Sequence, residues 1–120
     1  MSSGGATEFH SGLVSIIIPV FNRAAMLTEA LASAEAQSYR PIEVVLVDDG
    51  STDGTGRLCD ELAARSPERV RALHQANAGP GAAREAGRNA ARGEFLQYLD
   101  SDDLLYPEKL AKQVAALRSA

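Results

Sequence analysis

Two short acidic segments are the most chemically distinctive feature of this sequence. Six of its seven aspartates lie in them, three over residues 48–53 and three over residues 100–103. Each segment directly follows a mostly apolar run, VVLV in the first case and FLQYL in the second. Carboxylate oxygens suit Mg²⁺ or Mn²⁺, and a site with few protein ligands leaves positions open for phosphate oxygens. The Asp100-Ser101-Asp102 triplet therefore predicts a divalent-cation site, with turn capping as the alternative for Asp102 and Asp103.

The charge of the chain is concentrated in these two segments. The 120 residues carry a formal net charge of −4, which would be +2 without the six aspartates. Because the acidity is local and lies where a ligand site is expected, it favours a bound cation and disfavours nucleic acid as a partner. One cysteine, Cys59, and two histidines, His10 and His74, exclude a disulfide framework and a zinc site rich in Cys or His. His74 lies in a predicted strand and is interpreted as structural.

Asp48 and Asp49 predict a second chemical role at the same edge of the fold. Their carboxylates could accept hydrogen bonds from a base N–H or from ribose hydroxyls. Phe21, in the loop after the first predicted strand, offers an aromatic face on which a base could stack. The alternatives are structural: Phe21 as a core residue, and residues 51–53 as the cap of the following helix, with Ser51 or Thr52 as its N-cap.

The segment NAGPG, residues 77–81, predicts an anion site. It places backbone N–H groups at the start of a helix, where the helix dipole also favours negative charge. Arg84 lies in the first turn of that helix and is expected to face the same edge. Arg88 and Arg92 follow at intervals of four residues and are interpreted as a solvated stripe.

Hydrophobic periodicity predicts four strand-helix units after a flexible leader over residues 1–12. The predicted strands span 14–19, 42–48, 70–75 and 94–100, and the predicted helices span 24–37, 53–65, 81–92 and a segment that begins at Pro107. The first two strands are apolar nearly throughout, which is typical of parallel strands covered on both faces. The sequence therefore predicts an α/β fold whose ligand site lies at the carboxyl ends of the strands.

Four sequence blocks carry a resemblance to a known family. They are VSIIIPVFN, VVLVDDGSTDGT, NAGPGAAREAG and GEFLQYLDSDDLLYPEKL, in this order. Together they resemble the N-terminal, nucleotide-sugar-binding half of family-2 glycosyltransferases of the GT-A fold. The resemblance implies a Rossmann-like open parallel sheet with strand order 3-2-1-4 and helices on both faces, a three-layer α/β/α architecture that stops after its fourth β-α unit. Residues 13–120 would be the donor-binding half of such a domain.

The resemblance also implies roles for the residues around the nucleobase. Pro19 and Phe21 would line the base pocket, and Asn22 would help to shape the loop beside it. Asp49 would bind the base, with Asp48 in support. A sugar attached to a nucleoside diphosphate is the implied donor, with uridine diphosphate favoured.

A further set of implied roles concerns the diphosphate. Asp102 would be the direct ligand of Mg²⁺ or Mn²⁺, Asp100 would approach the ribose or the water shell of the metal, and Arg84 would lie beside the nucleotide. A cation there stabilises the charge that develops on the leaving diphosphate. The family mostly inverts the anomeric centre and takes its catalytic base from its C-terminal half, so the base is expected beyond residue 120.

Several expectations about the chain as a whole follow from the resemblance. The isolated segment is expected to have weak or no transferase activity, and the acceptor is expected to be a hydroxyl of a glycan, a lipid or another compound. The exposed edge of the fourth strand predicts self-association. The implied location is the cytoplasm, with the longer protein at the inner face of the membrane, where many relatives make polysaccharides.

Two other classes of function stay open at this point. One is a nucleotide-binding or regulatory module that keeps the fold without chemistry. The other is a receiver-type phosphoacceptor domain, in which paired aspartates also bind Mg²⁺. Receivers carry an acidic pair after the first strand, where this sequence has Pro19-Val20-Phe21, so the second alternative is disfavoured.

Overall fold

A parallel sheet of four strands forms the centre of the fold. The computed structural model describes residues 10–119, in which β1 (His10–Val20), β2 (Ile42–Asp48), β3 (Val70–His74) and β4 (Gly93–Tyr98) lie in the order β3-β2-β1-β4. All three neighbouring pairs are parallel, because each strand is joined to the next by a helix that crosses over the sheet. The strand order implied by the family resemblance is confirmed.

Four helices cover the two faces of this sheet. They are α1 (Ala24–Glu35), α2 (Thr55–Arg65), α3 (Pro80–Ala90) and α4 (Lys109–Ser119). Ala83 of α3 packs with Ile17, Val45 and Val47 on one face, whereas buried residues of the other three helices pack on the opposite face. The three-layer architecture is therefore confirmed. Within residues 10–119, none of the helices has the length and apolar character needed to cross a bilayer.

The two central strands owe their position to their sequence. Every residue of β2 is buried, and Ile16, Ile17 and Ile18 of β1 are fully buried. Successive side chains of a strand point to opposite faces, so Ile16 and Ile18 enter one core and Ile17 enters the other. Burying each such side chain contributes about 1.5–3 kcal/mol, which favours these two strands as the centre of the sheet.

Helix α3 approaches the sheet more closely than a larger side chain at position 87 would allow. A Cβ atom added at Gly87 would lie 2.4 Å from Cγ2 of Ile17 and 3.2 Å from Cγ2 of Val47. Atoms at 2.4 Å overlap strongly, so Gly87 fixes the distance between the helix and the strands beneath it. This distance determines where the amino end of α3 meets the carboxyl ends of β1 and β2.

The structure corrects the predicted leader and the predicted start of α2. Residues 10–12 belong to β1, and His10 donates its backbone N–H to the Arg92 carbonyl at 2.8 Å; residues 1–9 lie outside the described part. Helix α2 begins at Thr55 after Gly54, whose φ of 92° suits glycine. The cap contact comes from Asp53, which accepts the Thr55 N–H at 3.0 Å, so the prediction of Ser51 or Thr52 as N-cap is wrong.

A buried carboxylate stabilises the opposite, amino end of the sheet. Glu43 is 4% exposed and accepts hydrogen bonds from the Ser15 hydroxyl and the Arg92 backbone N–H, and it forms ion pairs with Arg71 and Arg92. Burial alone would raise the pKa of Glu43, but these hydrogen bonds and charges outweigh it and lower the pKa. Arg92 follows the end of α3 and joins this cluster, which corrects its interpretation as part of a solvated stripe.

The one thiol of the chain is enclosed in the core beneath α2. Cys59 has no exposed surface and packs with the residues on that face of the sheet. Burial raises its pKa to about 12, and the negative charges of Asp48 and Asp60 add to the increase. Because the thiolate is the reactive form, Cys59 is a packing residue.

Candidate functional site

A cavity of about 260 Å³ opens at the carboxyl ends of β1 and β2 and at the loop after β4. Its lining includes five of the residues singled out in the sequence: Pro19, Phe21, Asp49, Asp100 and Asp102. The sheet brings these residues together because parallel strands end at the same edge. The two acidic segments, about 50 residues apart in the sequence, therefore meet at one site.

Phe21 lies at the mouth of the cavity with 44% of its surface exposed. The alternative that Phe21 is a core residue is therefore wrong, since core residues of this chain are almost fully enclosed. An exposed aromatic face beside a cavity can stack on a planar ligand, and such stacking contributes about 1–3 kcal/mol per nucleobase in proteins that bind single-stranded nucleic acid. Its position in the loop after β1 is what the sequence predicted.

Asp49 is 4% exposed and holds the loop between β3 and α3. Its Oδ1 accepts the Gln75 side-chain amide at 2.9 Å and the Ala78 N–H at 2.8 Å, and its Oδ2 accepts the Gly79 N–H at 2.9 Å. Burial alone would raise the pKa of Asp49, but these hydrogen bonds lower it. The anion at the start of α3 is thus a carboxylate of the protein, which corrects the prediction of an open anion site over residues 77–81.

Glycine at position 50 allows the loop after β2 to lie close to the loop between β3 and α3. A Cβ atom at Gly50 would lie 2.6 Å from the Asn77 backbone nitrogen, and the φ of Gly50 is +76°. Both the contact and the dihedral angle exclude most other residues. The sequence Asp49-Gly50 therefore supplies the carboxylate that binds the β3–α3 loop and the space into which that loop fits.

Asp48 points to the other face of the sheet, because successive strand residues alternate. It lies 5% exposed beneath α2, where its Oδ1 accepts the Ser51 N–H at 3.0 Å and its Oδ2 contacts His74 Nδ1 at 3.0 Å. Burial alone would raise the pKa of Asp48, but the hydrogen bonds from Ser51 and His74 lower it. Asp48 does not line the cavity, and its contacts hold the loop beside it; its role in supporting a bound base stays a prediction.

Asn22 joins the loop after β1 to the loop after β2. Its backbone N–H donates to Ser51 Oγ at 3.0 Å, and its side-chain Oδ1 accepts the Thr52 N–H at 2.8 Å. Asn22 has a φ of 52°, a left-handed conformation that asparagine tolerates better than most residues. Ser51 and Thr52 thus bind the Phe21–Asn22 turn, and Asn22 shapes this loop from outside the main cavity.

Asp100 and Asp102 present the exposed carboxylates of the cavity. The Asp100 side chain is 60% exposed and Asp102 is also exposed. Arg84 contacts Asp100 at 3.3 Å between Nη2 and Oδ1, and Arg84 lines a neighbouring cavity of about 200 Å³. Arg84 therefore reaches the site through Asp100 and does not line the main cavity.

These two carboxylates fit the needs of Mg²⁺ or Mn²⁺. Within the described residues there is no group of three or more His, Cys, Asp or Glu residues that could enclose a metal ion. Mg²⁺ is usually held by one or two carboxylates together with water and substrate phosphates. The donor set at Asp100 and Asp102 therefore suits a cation that arrives with a phosphorylated ligand.

Sequence reasoning missed the side chains that position the loop after β4. Gln37 is 3% exposed at the end of α1, where its Nε2 donates to the Tyr106 carbonyl at 2.7 Å and its Oε1 accepts the Leu110 N–H at 3.1 Å. Ser33 Oγ accepts the Leu105 N–H at 3.0 Å. Helix α1 thus holds the segment that follows the DSDD motif. Ser33 and Gln37 are four residues apart, which is the spacing of side chains on one face of a helix. This spacing was the signal in the sequence that could have identified them.

Arg23 is a second residue that the sequence did not single out. It lines the cavity of about 260 Å³ and an adjoining, larger one of about 600 Å³ whose lining also includes Asp102 and Asn22. Arg23 directly precedes α1 and lines the cavity together with residues of both acidic segments, Asp49, Asp100 and Asp102. A lone arginine beyond a strand gives no clear signal in a single sequence, which is why it was missed.

A comparison with known sequences identifies the family. The sequence profile described as "Glycosyl transferase family 2" matches residues 15–120, which is most of the chain. This chain belongs to glycosyltransferase family 2. The resemblance carried by the four sequence blocks is therefore confirmed.

Relatives of this family 2 chain include named glycosyltransferases and proteins of solved structure. It is 42% identical to the glycosyltransferase GlyG of Streptococcus pneumoniae over 96 residues, 79% of this chain and 32% of that protein. It superposes on S. aureus TarS 1-349 in complex with UDP-GlcNAc with a TM-score of 0.78 and 33% identity, over 88% of this chain and 31% of that one. The Pyrobaculum calidifontis mannosyltransferase PcManGT, in complex with GDP-Man and Mn²⁺, superposes with a TM-score of 0.77 and 30% identity, over 84% of this chain and 31% of that one.

The family 2 chain is much shorter than these relatives. It spans about a third of the length of GlyG and of each of the two solved chains. Residues 15–120, which the family profile matches, contain both acidic segments and the residues that line the cavity. The residue roles implied by the resemblance, from Pro19 to Asp102, stay predictions.

Proposed function

We propose that this chain forms the donor site of an enzyme that transfers a sugar from a nucleoside diphosphate sugar to an acceptor hydroxyl, with inversion of the anomeric centre and dependence on a divalent cation. The observation that carries the proposal is the cavity where Phe21, Asp49, Asp100 and Asp102 meet. Inversion rests on the family resemblance alone. A uridine diphosphate sugar is the favoured donor, and TarS, which superposes well, was solved with UDP-GlcNAc.

In this proposal the nucleobase lies between Phe21 and Asp49. The ring of Phe21 stacks on the base, and Pro19 forms the apolar floor beside it. A base N–H donates to Oδ2 of Asp49, which is the less engaged oxygen because its contact with the Asn77 amide is long, at 3.3 Å. The low pKa of Asp49 keeps it an acceptor at neutral pH.

The diphosphate and the ribose lie toward the loop after β4. Asp102 would hold Mg²⁺ or Mn²⁺, which when bound stabilises the negative charge that develops on the leaving diphosphate. The ion pair with Arg84 engages Oδ1 of Asp100 and leaves Oδ2 for a ribose hydroxyl or a water molecule. The guanidinium of Arg23 supplies a positive charge at the same opening.

The partners of this site are also part of the proposal. The acceptor is a hydroxyl of a glycan, a lipid or another compound, and the base that deprotonates it comes from outside the 120 residues. Self-association of this chain is proposed to use β4, which lies at the edge of the sheet with Leu96 and Tyr98 partly exposed. Edge strands offer unpaired backbone groups to another chain, so association should grow with concentration.

Titration calorimetry of UDP and GDP into this chain, with Mn²⁺ and again with EDTA, tests the donor site. We expect the favoured nucleotide to bind in Mn²⁺ and to bind at least tenfold more weakly in EDTA. Asp102→Asn should remove the metal dependence while the chain stays folded. Absence of binding by folded wild-type protein under both conditions would contradict the proposal and favour a module without donor binding.

Asp103→Asn is the matched control for this experiment. Asp103 is also exposed and belongs to the same motif, but it does not line the main cavity. The amide keeps an oxygen that can accept the Leu104 N–H, as the carboxylate does at 3.1 Å. Equal losses in Asp102→Asn and Asp103→Asn would show that the effect is general electrostatics and would exclude Asp102 as the metal ligand.

A further inference from the structure

His74 lies between two carboxylates that belong to different elements. Its Nδ1 is 3.0 Å from Oδ2 of Asp48 at the end of β2, and its Nε2 is 2.8 Å from Oδ1 of Asp60 on α2. These are the charged side chains that face the ring from the two elements packed against β3, among residues 10–119. A role in any ligand site was not predicted for His74, which the sequence indicated only as structural.

The geometry favours the doubly protonated form of this ring. A neutral imidazole donates from one nitrogen and accepts at the other, so one of its nitrogens would turn a lone pair toward a carboxylate. Only the imidazolium donates to Asp48 and Asp60 together. In agreement with this, the hydrogen bonds to Asp60 and Asp48 raise the pKa of His74.

A chain of hydrogen bonds connects His74 with the cavity. Asp48, held at Oδ2 by the ring, accepts the Ser51 N–H at Oδ1, and Ser51 Oγ accepts the Asn22 N–H. Asn22 follows Phe21, whose ring lines the cavity. The ring of His74 is outside the cavity, so its influence on a ligand has to be transmitted, and Asp48 and Ser51 form a path for it.

Helix α2 packs closely around this contact. A Cβ atom at Gly56 would lie 2.6 Å from Oδ2 of Asp48 and 3.6 Å from Cε1 of His74. The Asp48 side chain is 7% exposed, so it has little room to turn toward water when its partner changes. A change in the ring must therefore be met by a change in the contacts of Asp48.

We propose that His74, as an imidazolium shared between Asp48 and Asp60, is a positioning residue for the nucleotide: through Asp48 and Ser51 it holds the Phe21–Asn22 turn in its ligand-binding conformation. The proposal rests on the proposed donor site. Deprotonation of the ring leaves one N–H for two carboxylates, so the hydrogen bond to Asp48 is no longer fixed, and the turn loosens to the extent that Asp48 is released. Nucleotide affinity is then highest where His74 is charged and falls as the pH rises through its pKa.

NMR on the whole 120-residue chain without nucleotide tests the coupling directly. The ring of His74 and the backbone amides of Ser51 and Asn22 should titrate with one common midpoint above pH 6.5. His74→Gln, checked for cooperative unfolding, should place the two amides near their high-pH positions in wild type. Amides that do not follow the ring, or that keep their low-pH positions in His74→Gln, would overturn the proposal.

Asp60→Asn and Glu61→Gln form a matched pair on α2. Both remove one exposed negative charge, but only Asp60 contacts the ring. Asp60→Asn should lower the common midpoint by roughly 0.15–0.7 pH units, the range expected for an exposed ion pair, and Glu61→Gln should leave it nearly unchanged. An equal shift in both variants would refute the specific contact.

Nucleotide affinity gives the second readout and separates this inference from the proposed function. Wild-type affinity for UDP or GDP should fall on the order of fivefold from below to above the midpoint, and Asp60→Asn should move that fall to lower pH. If the Ser51 and Asn22 amides titrate with the ring but the chain binds no nucleotide at any pH, the result counts against the proposed donor site and not against the coupling. Nucleotide binding that is independent of pH would overturn the positioning role and leave the donor site standing.

Discussion

The carboxylate of Asp49 accepts the backbone N–H of Gly79 at 2.9 Å, so the start of α3 is neutralised from within the protein. Gly79 makes this contact with φ of 101° and ψ of 164°, a conformation almost confined to glycine. The pair joins the loop after β2 to the loop after β3, which is not adjacent to it in the sequence. One wall of the cavity is built by this contact before any ligand arrives.

Asp49→Asn should destabilise the fold and weaken nucleotide binding together. The amide keeps one acceptor oxygen but turns an NH₂ group toward backbone donors, and loss of hydrogen bonds to a buried charge costs about 1.5–3 kcal/mol. Urea unfolding measures the first effect and calorimetry with UDP or GDP the second. Asp103→Asn, at an exposed position, should change stability by less than about 0.5 kcal/mol. An Asp49→Asn chain as stable as wild type would contradict this account of the loop.

Gly87→Ala should destabilise the protein by about 1–3 kcal/mol, because the new methyl group would overlap Ile17 and Val47. Gly81→Ala is the control in the same helix: nothing lies within 4 Å of its added Cβ atom, so it should stabilise the chain by about 0.4–1 kcal/mol. Thermal and urea unfolding of both variants measures the difference. Equal effects of the two substitutions would show that the close approach of α3 is not what position 87 provides.

Glu43→Gln should cost about 1.5–3 kcal/mol of stability, because Arg71, Arg92 and the Ser15 hydroxyl lose a buried charged partner while the two arginines stay partly solvated. The cluster is at the amino end of the sheet, opposite the cavity. Nucleotide affinity of the folded fraction should therefore stay within about twofold of wild type. A large loss of affinity without a loss of stability would be the opposite of the expected pattern.

The stability of the chain should have a maximum between about pH 4.5 and 6.5. Glu43, Asp48 and Asp49 have lowered pKa values, so their contribution is complete above their ordinary values of 4.5 and 3.8 and is lost as the pH falls through the lowered ones. His74 has a raised pKa, so its contribution is complete below 6.5 and is lost as the pH rises through that pKa. Urea unfolding from pH 3 to 9 measures both limbs. The alkaline decline should disappear in His74→Gln.

The sequence was sufficient to predict the strands of the sheet and the edge of the sheet at which the site lies. Continuous apolar runs such as residues 44–47 have few alternatives to a buried parallel strand, and the position of each strand fixes where its acidic residues emerge. For this reason the sequence alone could predict that one site contains Phe21, Asp49, Asp100 and Asp102. Strand order could not be obtained this way, because periodicity does not say which strands are neighbours, and it came from the family resemblance.

Long-range hydrogen bonds were beyond the reach of sequence reasoning. Ser51 and Thr52 have the residue types of a helix cap, but in the structure they bind Asn22, which is about 30 residues away. The backbone amides of Ala78 and Gly79 look like an open anion site until Asp49 is placed against them. In both cases a local pattern is satisfied by a distant partner, and only the three-dimensional arrangement shows which partner it is.

The burial of Cys59 makes the chain suitable for site-directed labelling without removal of a native residue. Its thiol is enclosed and stays protonated, so maleimide reagents should not modify it in the folded state. Tyr106→Cys, at a side chain that is 82% exposed in the segment after β4, would supply the one reactive thiol. A fluorophore attached there would report movement of that segment as a nucleotide and a cation enter.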